Sequence, residues 1–336
     1  MPTLQVAIWN VECSVGTATS LQTLMNFTGT LAHNERYRLV QDVVASATML
    51  MRPPLGNAAP PIRLFLAPEY LFARSAEKHV VSYETKTQVL TSLTALSERY
   101  PALILFPGTV AYFKELDAPN KEWRRVKYAR MIRTRPNMQR PVRVSHNTAY
   151  VFHGGKQVFK YRKVTDASEL DKEEREDGGN VFVPGIGPSV FRLLDQRIGI
   201  EVCADHERGY LFQYRGQSDL DVHIIVSAST TFKSGYACVR EGGIVCHADS
   251  SDPPAVYQKV RGVMVAQPPV GISNITPSLN PHLAPTADEH RSKYTTAVEN
   301  KFKSLPTTTA TLQMQKKEHQ YLNASGGKLG VFEVMI

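Results

Sequence analysis

Short runs of apolar residues alternate with stretches of helical periodicity in the first third of the chain. Residues 4–9, 64–67 and 103–106 are apolar runs of strand length, and the last two are followed by a proline. Residues 34–51 and 85–100 carry apolar side chains three and four positions apart, which is the spacing of one helix face. The pattern therefore predicts three buried strands and two amphipathic helices in alternation.

Strand signals dominate the rest of the chain. A hairpin that turns at Gly154-Gly155 is predicted for 147–153 and 157–161. Further strands are predicted at 188–194, 197–203, 222–228, 243–247, 255–260 and 328–336. Because strand and helix signals are interspersed, we expect one α/β domain at 1–262. A Pro/Thr-rich C-terminal extension, 263–336, is expected to begin as an extended arm, to end in a strand and to pack on the same domain.

The composition is that of a basic globular protein. Of 336 residues, 42% are hydrophobic and 21% are charged, which is enough apolar surface for a large core and excludes global disorder. The net charge of +8 favours acidic partners. Much of it lies in 121–143, where nine Lys or Arg residues accompany one acid. We expect this segment to belong to a basic insert, 112–145, that either binds an acidic substrate or partner or is a solvated hairpin.

Cysteine usage and the N-terminus indicate a reduced, cytoplasmic protein. The four cysteines, Cys13, Cys203, Cys238 and Cys246, show no CxxC spacing, which argues against a zinc knuckle or a disulfide framework. The first ten residues lack the features of a secretory signal, and no apolar run reaches the ~18 residues of a membrane span. We therefore expect no membrane span, although secretion without a cleavable signal stays open.

Three polar residues stand at the ends of predicted strands, where a rigid scaffold presents catalytic groups. Glu69 follows the run at 64–67, Lys163 follows the predicted hairpin, and Cys203 ends the strand at 197–203. Each has an ordinary explanation when taken alone, as a turn, a surface lysine or a small core residue. Their order along the chain and the residues around them are what indicate a catalytic role.

These contexts resemble the carbon–nitrogen hydrolases of the nitrilase superfamily. Five motifs occur in the order of that family, over about residues 4–260. They are Pro68-Glu69, Asn147-Thr148-Ala149, Tyr161-Arg162-Lys163, Phe182-Val183-Pro184-Gly185, and Arg197-Ile198-Gly199-Ile200-Glu201-Val202-Cys203-Ala204-Asp205. The resemblance implies a four-layer αββα sandwich, with two mixed sheets between outer helices, and a homodimer or higher homo-oligomer.

The resemblance also implies a mechanism. Cys203 attacks the carbonyl carbon of a small amide and forms a thioester-level acyl-enzyme, with Glu69 as general base. Lys163 and the backbone N–H of Ala204 stabilise the negative oxygen that develops. Neither a metal nor an organic cofactor is needed. The expected substrates are small amide, N-carbamoyl or glutamine-like compounds.

Four further side chains are implied around this triad. The family has a second glutamate between the lysine and the cysteine, for which Glu176 is the best placed of the acidic residues. Tyr70 is expected as a pocket wall next to Glu69. Ser229 and Thr230, after the strand at 222–228, either contact substrate or cap a turn.

Other functions remain open from the sequence. Ala204-Asp205 after the cysteine favours amide or carbamoyl substrates over nitriles, but a nitrile hydrolase or an acyltransferase would use the same triad. A degenerate family member that binds an acidic partner is the alternative outside enzymes. The unusual residues 206–210 and the basic insert favour it.

The histidines suggest two rival sites. His247 and Asp249 are two residues apart, as metal ligands sometimes are, but a polar turn is the simpler interpretation. A Cys203–His dyad would need His153, His206 or His223. His206 is too close in sequence to face the thiolate easily, and the other two have no local signature.

Overall fold

In the computed structural model, two β-sheets pack face to face and carry helices on their outer faces. The structure describes residues 3–11, 33–51, 53, 59–72, 80–115, 143–166, 180–214, 216–250, 252–274 and 328–336. Most of the basic segment at 121–143 and most of the C-terminal extension lie outside the described residues.

The described residues form sixteen strands and three α-helices. The strands are β1 (Thr3–Asn10), β2 (Ile62–Leu66), β3 (Val81–Ser82), β4 (Leu103–Phe106), β5 (Thr109–Glu115), β6 (Arg143–His153), β7 (Lys156–Arg162), β8 (Asn180–Phe182), β9 (Val190–Leu193), β10 (Gln196–Val202), β11 (Leu220–Ser227), β12 (Val239–Asp249), β13 (Ala255–Val260), β14 (Val263–Ala266), β15 (Gly271–Asn274) and β16 (Lys328–Met335). The helices are α1 (His33–Leu50), α2 (Tyr83–Arg99) and α3 (Ala204–Glu207). A π-helical turn at Tyr210–Tyr214 and a 3-10 turn at Ser234–Tyr236 complete the elements.

The first sheet has ten strands and is mixed. Its order is β15-β16-β1-β2-β4-β6-β5-β3, and β7 and β8 also pair with β6. Strand β1 runs parallel to β2 and antiparallel to β16, so the two ends of the chain meet in this sheet. The predicted hairpin at Gly154-Gly155 is confirmed as the turn between β6 and β7.

The second sheet has six strands in the order β14-β13-β12-β11-β10-β9. The three central strands, β10 to β12, are parallel, and the strands on either side of them are antiparallel. Parallel strands present their carboxyl ends at one edge, which is the usual place for a site in such a sheet.

Apolar side chains fill three layers across the molecule. Ile8 on β1 and Ile200 on β10 lie in the cluster between the sheets. Trp9 alternates to the other face of β1, where it joins Val43 of α1 and Leu93 of α2. A third, smaller cluster around Leu211 covers the outer face of the second sheet. Burial of these layers is the main source of stability.

The predicted αββα sandwich is confirmed, with an uneven fourth layer. Two long helices, α1 and α2, cover the first sheet, whereas in the described part of the chain only α3 and the two short turns cover the second. No helix among the described residues is long and apolar enough to span a membrane.

The two helices and the strands inferred from apolar runs are confirmed, with bounds that differ by one to three residues at most ends. The sequence missed strands β3, β5, β8, β14 and β15. Strand β3 has only two residues, and β14 is mostly exposed, so neither gives an apolar pattern. Strand β15 lies in the expected extended arm and pairs with β16.

Candidate active site

Glu69 lies just beyond the end of β2, where its backbone joins the two sheets. Its N–H donates to Ser227 O, at the end of β11, over 3.2 Å. Gly108 allows this chain path, because a Cβ at that position would stand 2.0 Å from Pro68 O. The next residue, Tyr70, has φ 61° and donates its N–H to the Thr109 hydroxyl over 3.1 Å. The Pro-Glu turn is therefore fixed by backbone contacts.

Lys163 pairs with Glu69 in a fully buried contact. Its Nζ lies 2.9 Å from Glu69 Oε1, and both side chains are 0% exposed. Asn147 donates its Nδ2–H to the same oxygen over 2.7 Å. A buried ion pair of this kind requires hydrogen bonds to offset the cost of removing both charges from water, and the amide supplies one. Lys163 is therefore not the surface lysine, nor Glu69 the solvated turn residue, that each could have been when taken alone.

The backbone at Lys163 is held on two sides. Its N–H donates to Asn147 O over 2.9 Å, and its C=O accepts from Gly185 N–H over 2.9 Å. A Cβ on Gly185 would lie 2.0 Å from Arg162 O, so only glycine lets the two segments approach. Two of the motifs quoted from the sequence thus meet at the lysine.

Cys203 occupies a sharp turn between β10 and α3. Its backbone has φ 48° and ψ −110°, an unfavourable conformation for a residue with a Cβ. Non-glycine residues held in such conformations cluster at functional sites. Its N–H donates to Val226 O over 3.0 Å, and its side chain is buried with 8% exposure.

The end of β11 brings Glu69 and Cys203 together. The carbonyl of Val226 receives the N–H of Cys203, and the next carbonyl, of Ser227, receives the N–H of Glu69. Because Lys163 is bound to the Glu69 carboxylate, three residues from distant parts of the chain converge on one strand end.

Asp205 ties the cysteine turn to the lysine segment. Its carboxylate accepts the Tyr161 hydroxyl over 2.7 Å and the backbone N–H groups of Val164 and Thr165 over 3.1 and 2.7 Å. Burial raises the pKa of Asp205, although the hydrogen bonds from Tyr161 and Thr165 act to lower it. The aspartate therefore sets the position of the segment that carries Lys163.

Thr230 contacts the thiol directly. Its Oγ1 lies 3.1 Å from Cys203 Sγ, and its side chain is only 1% exposed. Its N–H donates to Asp249 Oδ2 over 2.9 Å. Asp249 also accepts the Ser227 hydroxyl, which in turn contacts His247 Nε2 over 2.9 Å. His247 and Asp249 lie on β12 in this buried network instead of the expected polar turn.

A second buried cluster lies on the outer face of the same sheet. Glu201 Oε2 contacts His206 Nδ1 over 2.7 Å and His223 Nε2 over 3.0 Å, and Glu201 Oε1 accepts the Leu211 N–H over 2.7 Å. Burial alone raises the pKa of Glu201, but the hydrogen bonds from the two histidines outweigh it and lower the pKa to about 2.

The backbone determines which imidazole nitrogens of this cluster carry protons. His206 Nε2 accepts the Lys233 N–H over 3.1 Å, and His223 Nδ1 accepts the Cys238 N–H over 3.4 Å. The opposite nitrogens then carry the protons and donate them to Glu201. Although three ligand atoms lie within 4.8 Å of one another, this arrangement points the N–H groups inward. It favours a hydrogen-bonded carboxylate over a cation site, and it engages two histidines that the dyad alternative would need.

The other predicted site residues differ in burial and position. Ala204 opens α3 with 5% exposure, and Tyr70 is buried with Lys163 Nζ 6.0 Å from its ring centroid. Ser229 is exposed. Glu176 lies outside the described residues. Asn147 and Asp205 belong to the motifs that resemble the family, but the sequence alone did not predict a role for either of them in the site.

Comparisons with known proteins find no match to a family model and none to a curated protein. Solved structures do match. A mutant amidase of the nitrilase superfamily from Nesterenkonia AN1 is 14% identical over 79% of this chain and 80% of its own, with a TM-score of 0.43. Nit3 from Saccharomyces cerevisiae, a member of branch 10 of that superfamily, is 15% identical over 79% and 85%, with a TM-score of 0.42.

The chain resembles the nitrilase superfamily in fold. A glutamine-dependent NAD+ synthetase from Acinetobacter baumannii also matches, at 11% identity and a TM-score of 0.48. This match covers 79% of the present chain but only 43% of the synthetase. At such identities the likeness concerns the fold and says nothing about the substrate.

Proposed function

We propose that this protein is a thiol hydrolase that cleaves a non-peptide C–N bond in a small amide, N-carbamoyl or glutamine-like substrate. The observation that carries the proposal is the fully buried Glu69–Lys163 pair, joined through the end of β11 to the turn at Cys203. A buried charged pair beside a thiol in an unfavourable backbone conformation has no evident structural purpose.

In the first half of the reaction, Glu69 takes the proton of the Cys203 thiol, and the sulfur attacks the substrate carbonyl carbon. The carbonyl oxygen becomes negative, next to the Lys163 ammonium and the Ala204 N–H, which stabilise it. The C–N bond then breaks, and Glu69 gives its proton to the departing amine or ammonia.

In the second half, Glu69 takes a proton from water, and the resulting hydroxide attacks the thioester carbon. The C–S bond breaks, the carboxylic acid leaves, and the Cys203 thiolate receives the proton back from Glu69, which restores the thiol. The positive charge of Lys163 keeps Glu69 ionised at the start of each half, while Asn147 orients the carboxylate through its 2.7 Å hydrogen bond.

The other described cysteines are unsuited to this chemistry. Burial raises the pKa of Cys238 to about 12 and also raises that of Cys246. Both are free thiols in the structure. Since the thiolate is the nucleophile, Cys203 is the best of the described candidates.

The test is hydrolysis of a panel of small amides, carbamoyl compounds and glutamine, with matching nitriles, measured by release of ammonia. We expect the wild-type protein to release ammonia from at least one amide and Cys203→Ala to release none, with thermal unfolding used to show that the variant is folded. Intact mass spectrometry of wild-type protein quenched during turnover should show an acyl adduct on the Cys203 peptide.

A biological activity that survives in folded Cys203→Ala would refute the hydrolase and favour the binding protein. Faster turnover of the nitriles would move the proposal to a nitrile hydrolase with the same triad. A homo-oligomer and an acidic partner at 121–143 remain predictions, which light scattering and binding measurements with polyanions would test.

A further inference from the structure

We propose that Thr230 is a further catalytic residue, whose hydroxyl donates a hydrogen bond to the Cys203 thiolate, and that Asp249 is the residue that positions it. This inference rests on the proposed function, because it assigns a role in activating the same nucleophile. The sequence suggested that Thr230 either contacts substrate or caps a turn, and the present proposal gives its hydroxyl a different role.

The side chains of Thr230 and Cys203 are in direct contact, and both are buried. Oγ1 of Thr230 stands 3.1 Å from Sγ of Cys203, within hydrogen-bonding range for sulfur. Thr230 is 1% exposed, so its hydroxyl has little access to solvent. A hydroxyl buried in this way needs a partner inside the protein, and the sulfur is at the right distance.

The chemistry of the sulfur decides the direction of the bond. In the thiol form either atom can donate, but a thiolate has no proton and can only accept. Ionisation therefore converts an ambiguous contact into a charge-assisted hydrogen bond from the threonine. Because a hydrogen bond made to the charged form favours that form, the hydroxyl promotes ionisation of Cys203.

The position of Thr230 is set from β12. Its N–H donates to Asp249 Oδ2 over 2.9 Å, while Asp249 Oδ1 accepts the Asp252 N–H over 3.2 Å. The hydroxyl of Ser250 reaches the carbonyl of Ala228, two residues before Thr230. These hydrogen bonds attach the short segment after β11 to the end of β12 and fix the position of Thr230.

Other titratable groups lie on the elements packed around the thiol. They are Glu69, Lys163, Asp205, His247 and Asp249. A substitution that removes only the hydroxyl leaves all of these in place. The difference between variants at Thr230 therefore reports the hydroxyl alone.

The experiment is the pH dependence of iodoacetamide alkylation at Cys203, followed by peptide mass spectrometry. Thr230→Val removes the hydroxyl at nearly constant shape, and Thr230→Ser keeps it. We expect the midpoint of alkylation in Thr230→Val to rise by about one pH unit, a roughly ten-fold lower rate near neutral pH. Thr230→Ser should follow the wild type, with the Cys238 and Cys246 peptides unlabelled in all three.

Asp249 is tested by the same measurement. Asp249→Asn and Asp249→Ala both remove the carboxylate charge, so the two variants are compared with each other. Asparagine retains an oxygen for the Thr230 N–H and alanine does not, so the midpoint should be higher in Asp249→Ala than in Asp249→Asn. Thermal unfolding of each variant shows that folded protein is being labelled. If Asp249→Ala unfolds, the two substitutions at Thr230 still decide the role of the hydroxyl.

An unchanged midpoint in folded Thr230→Val overturns the proposal, as does a Thr230→Ser profile that matches Thr230→Val. Alkylation needs no substrate, so the result stands apart from the amidase assay. A different result would be that the protein hydrolyses none of the small amides while Thr230→Val still shifts the alkylation midpoint. That result would refute the proposed function but would support the hydrogen bond from the Thr230 hydroxyl to the Cys203 thiolate.

Discussion

Two buried glutamates in this protein show how the partners of a charge determine what it can do. Glu69 and Glu201 are both 0% exposed, and each accepts hydrogen bonds from more than one nitrogen donor. The donors of Glu69 are an ammonium and an amide. Those of Glu201 are two imidazoles and the backbone N–H of Leu211.

The two sets of donors differ in whether they leave the carboxylate able to exchange a proton. Three N–H groups fix both oxygens of Glu201, and its lowered pKa of about 2 keeps it ionised throughout the ordinary pH range. Such a group cannot exchange protons in a reaction at neutral pH. Glu201 therefore serves to hold α3 and the π-helical turn against the second sheet.

Glu69 has a different setting. Its partners converge on Oε1, and it stands beside the strand end that also receives the Cys203 backbone. The adjacent positive charge favours the ionised form of this carboxylate, and under the proposed function the carboxylate takes the thiol proton as the sulfur attacks the substrate. We therefore propose that the same residue type acts as a base at Glu69 and as a structural anchor at Glu201.

Substitution of each glutamate by glutamine should separate the two roles. We expect Glu69→Gln to lower kcat/KM by about 10²–10⁴-fold, the range lost when a general base is removed. Glu201→Gln should keep the wild-type kcat/KM per folded molecule, because Glu201 has no proton to exchange. Steady-state kinetics on an amide found in the panel measures both, and equal losses in the two variants would contradict the distinction.

We expect Glu201→Gln to lower the free energy of unfolding. The glutamine amide places an N–H group where two imidazoles and one backbone amide already donate, so at least one buried donor loses its partner. We expect a loss of about 2–4 kcal/mol in the free energy of unfolding. Urea unfolding followed by circular dichroism measures it, with Glu207→Gln on the exposed side of α3 as the matched control.

The sequence was sufficient for the elements that bury a complete apolar face. Strand β4 was predicted with its observed bounds because all four residues are buried. Strand β5 was missed, although four of its seven residues are buried, because it runs into the expected basic insert, 112–145. Glu69, Lys163 and Cys203 could be proposed because each follows a predicted strand in a recognisable motif, although β7, before Lys163, is largely exposed.

The Glu201 cluster and the contact of Thr230 with Cys203 could not be predicted, because both depend on how separate strands align. Gly199 pairs with His223 and Glu201 pairs with Ile225, so the glutamate and the histidine share one face of the sheet only in this register. A shift of one residue would place them on opposite faces. No periodicity within either strand encodes that alignment.

The smallest effect we predict is a loss of stability in mild acid that depends on the Glu201 cluster. Burial lowers the pKa of His206 in spite of its hydrogen bond to Glu201, so the folded protein binds a proton there less readily than the unfolded chain does. Stability is then full above the unfolded value of about 6.5 and falls as the pH drops below it, by at most about 1.4 kcal/mol per pH unit.

Urea unfolding from about pH 7.5 to about pH 5 measures this slope, in a range where Glu201 stays ionised in both states. His206→Gln removes one titrating group and should make the slope shallower, although it lowers stability at every pH because Glu201 loses a donor. The slope that remains comes from His247, whose pKa burial lowers to about 4. His153→Gln, at a half-exposed position, is the matched control and should leave the slope unchanged. A slope in His206→Gln as steep as in the wild type would mean that other groups carry the acid sensitivity.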